Sequence, residues 1–267
     1  MKAMKKPPTS SNHQTVTKRQ CGLLAAVDNV WSPNYTKPSD SAILNDEYTL
    51  RMATGTLQHR GPDGRHTARG FLSVEKGGSP QWVMGHQRLA IVDPDSHAAD
   101  MPFKLSFGEG PNKRNIKLAA NGEIYNHKTL YNEIVEKHGW KEERMSGSDC
   151  EVIAHACVCL GPEEAVKKLD GMFAFCLFEE AAEDGSRPAA AFAARDPVGI
   201  KPLYYGNTED GAYVFASELK ALVGHVEPAS VKQMPPGHYW TPQTGLVRYH
   251  KPDWNFDVSQ NILYCLI

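Results

Sequence analysis

Long apolar runs are missing from this 267-residue sequence. A bilayer-crossing helix needs about 18 such residues. The nearest candidate, Ala189–Ala194, is a six-residue stretch between Pro188 and Arg195, so membrane insertion is excluded. A charge excess is missing too: 29 Lys and Arg stand against 31 Asp and Glu, a formal net charge of −2. That balance removes any global argument for nucleic acid or an anionic membrane surface. Paired cysteines are absent, since the six cysteines (21, 150, 157, 159, 176 and 265) form no C-x-x-C. Buried thiols in a reducing cytoplasm fit this pattern better than a metal site around Cys157, Cys159 and His155. The common fingerprints are absent as well: G-x-G-x-x-G, G-x-x-x-x-G-K-[ST], H-E-x-x-H and G-x-S-x-G do not occur, which sets aside the usual nucleotide, zinc-protease and serine-hydrolase readings.

What is present describes an ordinary globular chain, 41% hydrophobic and 22% charged, long enough to bury a core without disulfides or structural metals. Residues 1–20 hold five Lys or Arg and no acidic residue; the remainder carries 24 basic and 31 acidic groups, −7 in all. With no apolar h-region, 1–20 reads as a basic disordered extension or propeptide rather than a secretory signal. The folded part is expected over 21–250, with 251–267 a truncated linker or tail.

Periodicity and breakers predict strands at Gly22–Val27, Gln81–Met84, Arg88–Val92, Asn115–Ala120, Met172–Phe178, Ala189–Ala194, Leu203–Tyr205, Tyr213–Ala216, Gly237–Tyr239 and Leu246–Tyr249. The second of these runs to Met84, and Asp93-Pro94-Asp95 ends the third. Asn121-Gly122 is a hairpin signal. Trp31–Ser41 and Lys104–Arg114 read as loops, and HRGPDG (59–64) as a turn. Helices are expected at Asp46–Gln58, at Thr129–His138 with Gly139 as its stop, and after Ser148, where Ser148 and Glu151 spell a capping box and Gly161-Pro162 ends the run. Many strands and three or four helices point to two sheets covered by helices.

A few polar residues sit at element ends: Arg88 opening a strand, Asn121, Gly122 and Glu123 at a turn, Asp149 in a capped first turn. Each has an ordinary explanation as a solvated edge, a type I′ turn or dipole compensation. Together they are more specific. HRGPDG (59–64), GHQRLAIVD (85–93), NGEIYNH (121–127), SDCEVI (148–153), LDGMFAF (169–175), ARDPVGIKPLYYG (194–206), FASELKAL (215–222) and PPGH (235–238) follow in the order and approximate spacing of class II glutamine amidotransferase domains. The sequence resembles most the glutaminase domain of glutamine-hydrolysing asparagine synthetase, over about residues 21–250.

The resemblance implies an α+β fold, the N-terminal-nucleophile hydrolase αββα sandwich of two mostly antiparallel sheets between helical layers. It also implies the chemistry. Cys21, followed by Gly22, would be the nucleophile, and its own α-amino group the base; an amine with a pKa near 8 can take a thiol proton, which an internal amide cannot. Arg88 would bind the glutamine α-carboxylate, with Leu89, Ala90, Ile91 and Val92 along the pocket wall. Glu123 and Asp149 would surround the α-ammonium, and Asn121 with Gly122 would form the oxyanion hole. The implied substrate is L-glutamine, hydrolysed to glutamate and ammonia, with no cofactor or metal in this chain. ATP and magnesium would belong to a C-terminal synthetase domain or partner chain receiving the ammonia, and the location would be cytoplasmic.

Two departures bear on this. Twenty residues precede Cys21 with no Met at position 20, so a propeptide is cut after Gln20, the start lies elsewhere, or this form is inactive. No S-G-G-x-D-S loop of an ATP-pyrophosphatase domain occurs, so this chain alone should not activate aspartate. A silent glutamine-binding or partner-docking module, and the glutaminase half of another class II amidotransferase, are the alternatives.

Overall fold

The computed structural model describes residues 20–29, 47–72 and 81–251. Segments 1–19, the loop expected at Trp31–Ser41, and 252–267 lie outside the described residues, as does the first residue of the helix expected from Asp46.

Strands and helices follow in the order β1 (Gly22–Val27), α1 (Glu47–Gly55), β2 (Gly64–Gly70), β3 (Trp82–Arg88), β4 (Phe103–Phe107), β5 (Arg114–Ile124), α2 (His127–His138), α3 (Val152–Leu160), α4 (Pro162–Lys168), β6 (Gly171–Glu179) and β7 (Ala190–Arg195). Then come β8 (Tyr204–Asn207), β9 (Tyr213–Ala216), β10 (Lys232–Gln233), β11 (His238–Thr241) and β12 (Gly245–Arg248). They form two six-stranded sheets, ordered β10-β8-β9-β1-β3-β2 and β12-β11-β7-β6-β5-β4, with every paired strand antiparallel.

Alternation along the central strands sets the layering. In β1, Leu24 and Ala26 pack with Leu50 and Ala53 of α1 and with Leu57 in the turn after it, while Leu23, Ala25 and Val27 face the other sheet. In β6, Phe173, Phe175 and Leu177 meet Leu130 and Ile134 of α2 and the apolar residues of α3. Its Ala174, Cys176 and Phe178 turn to the first sheet. The result is helix, sheet, sheet, helix, an αββα sandwich. Strand β7 shows why an alanine-rich segment is not a helix here. Ala191 and Ala193 fill the space between sheets, while Phe192 and Ala194 fill the space under the helices, so burial on both faces overrides propensity.

Several expectations are corrected. The strands expected at Gln81–Met84 and Arg88–Val92 are one strand, β3, that stops at Arg88. The N–H groups beyond it are taken by Cys21 Sγ (Leu89, 3.3 Å), Asp63 Oδ2 (Ala90, 2.9 Å) and Leu89 O (Ile91, 3.0 Å), leaving no ladder to extend. Asn121-Gly122 is not a hairpin. β5 runs straight through it, paired with Ala174 and Phe173. An added Cβ on Gly122 would sit 2.2 Å from Met172 O and 2.7 Å from Phe173 Cα; the glycine serves close strand approach rather than a turn. The segment read as a loop from Lys104 contains most of β4, whose Phe103, Leu105 and Phe107 are buried and whose Lys104 and Ser106 are exposed. The capping box does not form. Ser148 makes no side-chain cap, and the Glu151 carboxylate turns instead to the N–H of Met145 (2.6 Å) and Ser146 (2.8 Å) and to His155 (3.2 Å). Both ring nitrogens of His155 are thus engaged, the other accepting from Trp140 Nε1 at 2.9 Å. Among the described residues no group of three or more His, Cys, Asp or Glu is placed to hold a metal ion.

His86, wholly buried on β3, ties the sheets together through Nε2 and the carbonyl of Ala120 on β5 at 2.9 Å. A carbonyl only accepts, so Nε2 carries the hydrogen and Nδ1, which has no partner, is bare. Burial is the main cause that lowers its pKa to about 4. The unfolded chain binds this proton below about pH 6.5 and the folded chain does not. Stability should therefore fall as pH drops through 6.5 and level off below 4, by at most about 3 kcal/mol. Denaturant melts of His86→Gln against wild type check this: the variant should lose that part of the slope, and a parallel decline in both chains would remove His86 as its source.

Candidate active site

Five segments far apart in sequence meet in one cleft of ≈ 390 Å³. Cys21 enters it from the residue before β1, Arg88 and Leu89 from the end of β3, and Asn121, Gly122 and Glu123 from β5. Asp149 and Cys150 come from the short 3-10 turn before α3, and Ile200 and Lys201 from the loop after β7. Leu89, Ile91 and Val92 line the wall as expected. Ala90 does not; its N–H is drawn away by Asp63.

Cys21 Sγ accepts from Leu89 N–H and approaches Leu89 O at 3.7 Å. Burial pushes its thiol pKa up, against the pull of the Leu89 N–H and of Lys201, Arg60 and Arg88. Gly22 must be small because an added Cβ would lie 2.8 Å from Leu57 Cβ. Cys150, the other thiol in the cleft, is held well above the ordinary range by burial and then by Asp149, which makes it the poorer nucleophile.

Asn121 is 1% exposed, and neither Nδ2 nor Oδ1 has a hydrogen-bond partner. An unmatched buried amide costs about 1–3 kcal/mol per group and calls for an explanation. Asp149 accepts from the Ile124 N–H at 2.6 Å. Arg88 spends both terminal nitrogens inside the protein, on Asp100 Oδ1 (2.8 Å), Ser96 O (3.2 Å), Asp93 O (2.6 Å) and Val92 O (3.5 Å), so it also fixes the loop that walls the cleft.

Two residues escaped sequence reasoning. Arg60, inside HRGPDG, donates through Nε to Cys21 O (3.0 Å) and through its terminal nitrogens to Glu218 (2.8 Å) and Gln20 Oε1 (3.0 Å). The signal was a charged residue amid turn breakers. Lys201 was hidden in an apolar run, PVGIKPLYY.

A sequence model described as the glutamine amidotransferase domain matches residues 39–244, most of the chain. The chain belongs to the glutamine amidotransferase domain family. Among the relatives of this amidotransferase domain, asparagine synthetase [glutamine-hydrolyzing] 3 of Arabidopsis thaliana is 42% identical over 209 residues, covering 78% of this chain and 31% of its own. A probable asparagine synthetase of Dictyostelium discoideum is 34% identical over 237 residues, covering 88% and 35%. The chain thus spans about a third of the length of the curated relatives it matches, and is homologous to that part of them. Glutamine phosphoribosylpyrophosphate amidotransferase from B. subtilis, solved with ADP and GMP, superposes with a TM-score of 0.60 at 22% identity, over 87% of this chain and 50% of that one. At that identity the likeness bears on the αββα fold alone.

Proposed function

We propose that this amidotransferase domain hydrolyses L-glutamine to glutamate and ammonia through Cys21. The observation that carries the reading is the meeting of Cys21, Arg88, Asn121, Gly122, Glu123 and Asp149 in one cleft. In the proposed reaction the Cys21 thiolate attacks the side-chain carboxamide of glutamine. The carbonyl oxygen, gaining charge, takes hydrogen bonds from Asn121 Nδ2 and the Gly122 N–H, which supplies a use for an amide otherwise left unmatched. Ammonia leaves, and water hydrolyses the γ-glutamyl thioester. Glu123 and Asp149 hold the α-ammonium and Arg88 the α-carboxylate. The ammonia passes to a synthetase domain or partner chain of the asparagine synthetase kind, where ATP and magnesium would be used. The five described cysteines are free, which suits a cytoplasmic location.

A second reading, glutamine binding without turnover, is favoured by one observation: Cys21 is joined by a peptide bond to Gln20, whose side chain is held in the cleft by Arg60. Calorimetry tests the pocket common to both. Glutamine should bind Cys21→Ala, and adding Arg88→Ala should weaken binding by about 2–5 kcal/mol, partly through the carboxylate left unpaired. An unchanged affinity in a folded double variant would leave Arg88 as a loop anchor only.

A further inference from the structure

Asp196, wholly buried at the end of β7, folds the next five residues around its carboxylate. Oδ1 accepts the N–H groups of Val198 (3.1 Å), Gly199 (2.6 Å) and Ile200 (2.9 Å), and Oδ2 those of Lys201 (3.0 Å) and Phe173 (3.3 Å). From the other side, the buried Arg195 donates to the carbonyls of Lys201 (2.7 Å), Gly199 (2.6 Å) and Met234 (2.6 Å). Both peptide groups of Lys201 are therefore tied to buried charges, a rigid base for its side chain. That side chain enters the cleft beside Cys21, Glu123 and Cys150 with the residue only 5% exposed.

Three cations act on Cys21: Lys201, Arg60 and Arg88. The two arginines have other partners, Arg60 in Glu218, Gln20 and the Cys21 carbonyl, Arg88 in Asp100, three carbonyls and, in the proposed reaction, the glutamine carboxylate. Among the described residues, Lys201 Nζ makes no hydrogen bond and no ion pair within 4 Å. With no protein partner but still in contact with the water of the cleft, this ammonium is free to pair with an anion that forms beside it during the working cycle. We propose that Lys201 is a positioning residue whose charge is reserved for the Cys21 thiolate, stabilising the nucleophile without touching substrate. The inference rests on the reading of Cys21 as nucleophile. Leu89 N–H helps the thiolate from the end of β3, whereas Glu123 on β5 and Asp149 and Cys150 before α3 oppose it. Burial pulls the Lys201 pKa down, and Glu123, Cys21 and Cys150 hold it up against that pull and Arg60's.

Iodoacetamide alkylation of the full chain, followed across pH with peptide mass spectrometry to single out Cys21, tests this without any turnover. Lys201→Met should raise the alkylation midpoint by about one pH unit, the size expected of a lost neighbouring charge, and cut the rate below the midpoint about tenfold. Lys201→Arg should restore the wild-type profile. Lys201→Gln is made in parallel, and whichever neutral variant melts like wild type is read. A midpoint that does not move overturns the assignment. Glutamate release by the wild-type chain beginning at Cys21 is measured alongside. Turnover with an unmoved midpoint sinks the Lys201 role alone. A moved midpoint in a chain that never hydrolyses glutamine leaves that role standing and removes the glutaminase reading.

Discussion

A chain that begins at Cys21 is expected to release glutamate from glutamine, and the chain that begins at Met1 is expected to do so about 10²–10⁴-fold more slowly, the usual worth of a positioned general base. The reason is chemical. In the longer chain the nitrogen of Cys21 is an amide with no basic lone pair, and burial raises the thiol pKa further. Gln20 also occupies ground that a free α-amine and its proton would need; its N–H bonds to Arg60 O at 3.0 Å and its side chain to the Arg60 guanidinium. Trimming leaves β1 whole, since that strand starts at Gly22. The two chains are assayed side by side, with intact mass confirming each N-terminus and a glutamine-like electrophile such as diazo-oxo-norleucine marking Cys21. Equal turnover with residues 1–20 demonstrably in place would rule out the α-amine as base.

Asn121→Ala, made in the trimmed chain, is expected to lower kcat by about 10²–10³ while leaving glutamine binding comparatively intact. The substitution removes an amide that has no partner in the free protein, so the fold loses no hydrogen bond by it. Stability should hold or rise slightly, because two unmatched buried polar groups disappear. That pairing of a large kinetic loss with an undiminished melting temperature separates a residue waiting for charge from one that props up β5. A variant that loses affinity and keeps its turnover number would make Asn121 a ground-state contact.

Much of the fold was legible because its strands are buried on both faces. Gly22–Val27 and Tyr213–Ala216 are predicted with the bounds they have, and Met172–Phe178 lies within one residue of β6 at each end. Strand β2, GRHTARG, was invisible for the opposite reason. It is an edge strand with only one fully buried side chain, Ala68, and its place is set by backbone pairing with β3. The helix α4 was missed because Pro162 reads as a stop for the helix before it, yet sits in the first turn of the next. The residues assigned through resemblance, all but Ala90, line one cleft. Residue-by-residue reading misled at Asn121-Gly122 and at Ser148–Glu151 because tertiary partners, the β6 backbone and the Met145–Ser146 amides, override local signals. Lys201 could not be found that way at all. Its environment comes from the buried Asp196 and Arg195 and from segments more than fifty residues distant.

The alanines between the sheets also bear on the chemistry. Cys21 hangs from one sheet and Asn121 belongs to the other, so the separation of the sheets is the gauge that sets the span from sulfur to amide. Ala25, Ala119, Ala174, Ala191 and Ala193 are the shims of that gauge. A residue lodged among them need not approach the cleft to detune it. A thicker shim would spread the sheets and open the bite between Cys21 and Asn121, where, in the proposed reaction, ångström-scale misplacement would cost about a hundredfold in rate. The proposed chemistry would therefore depend on the most featureless part of the core.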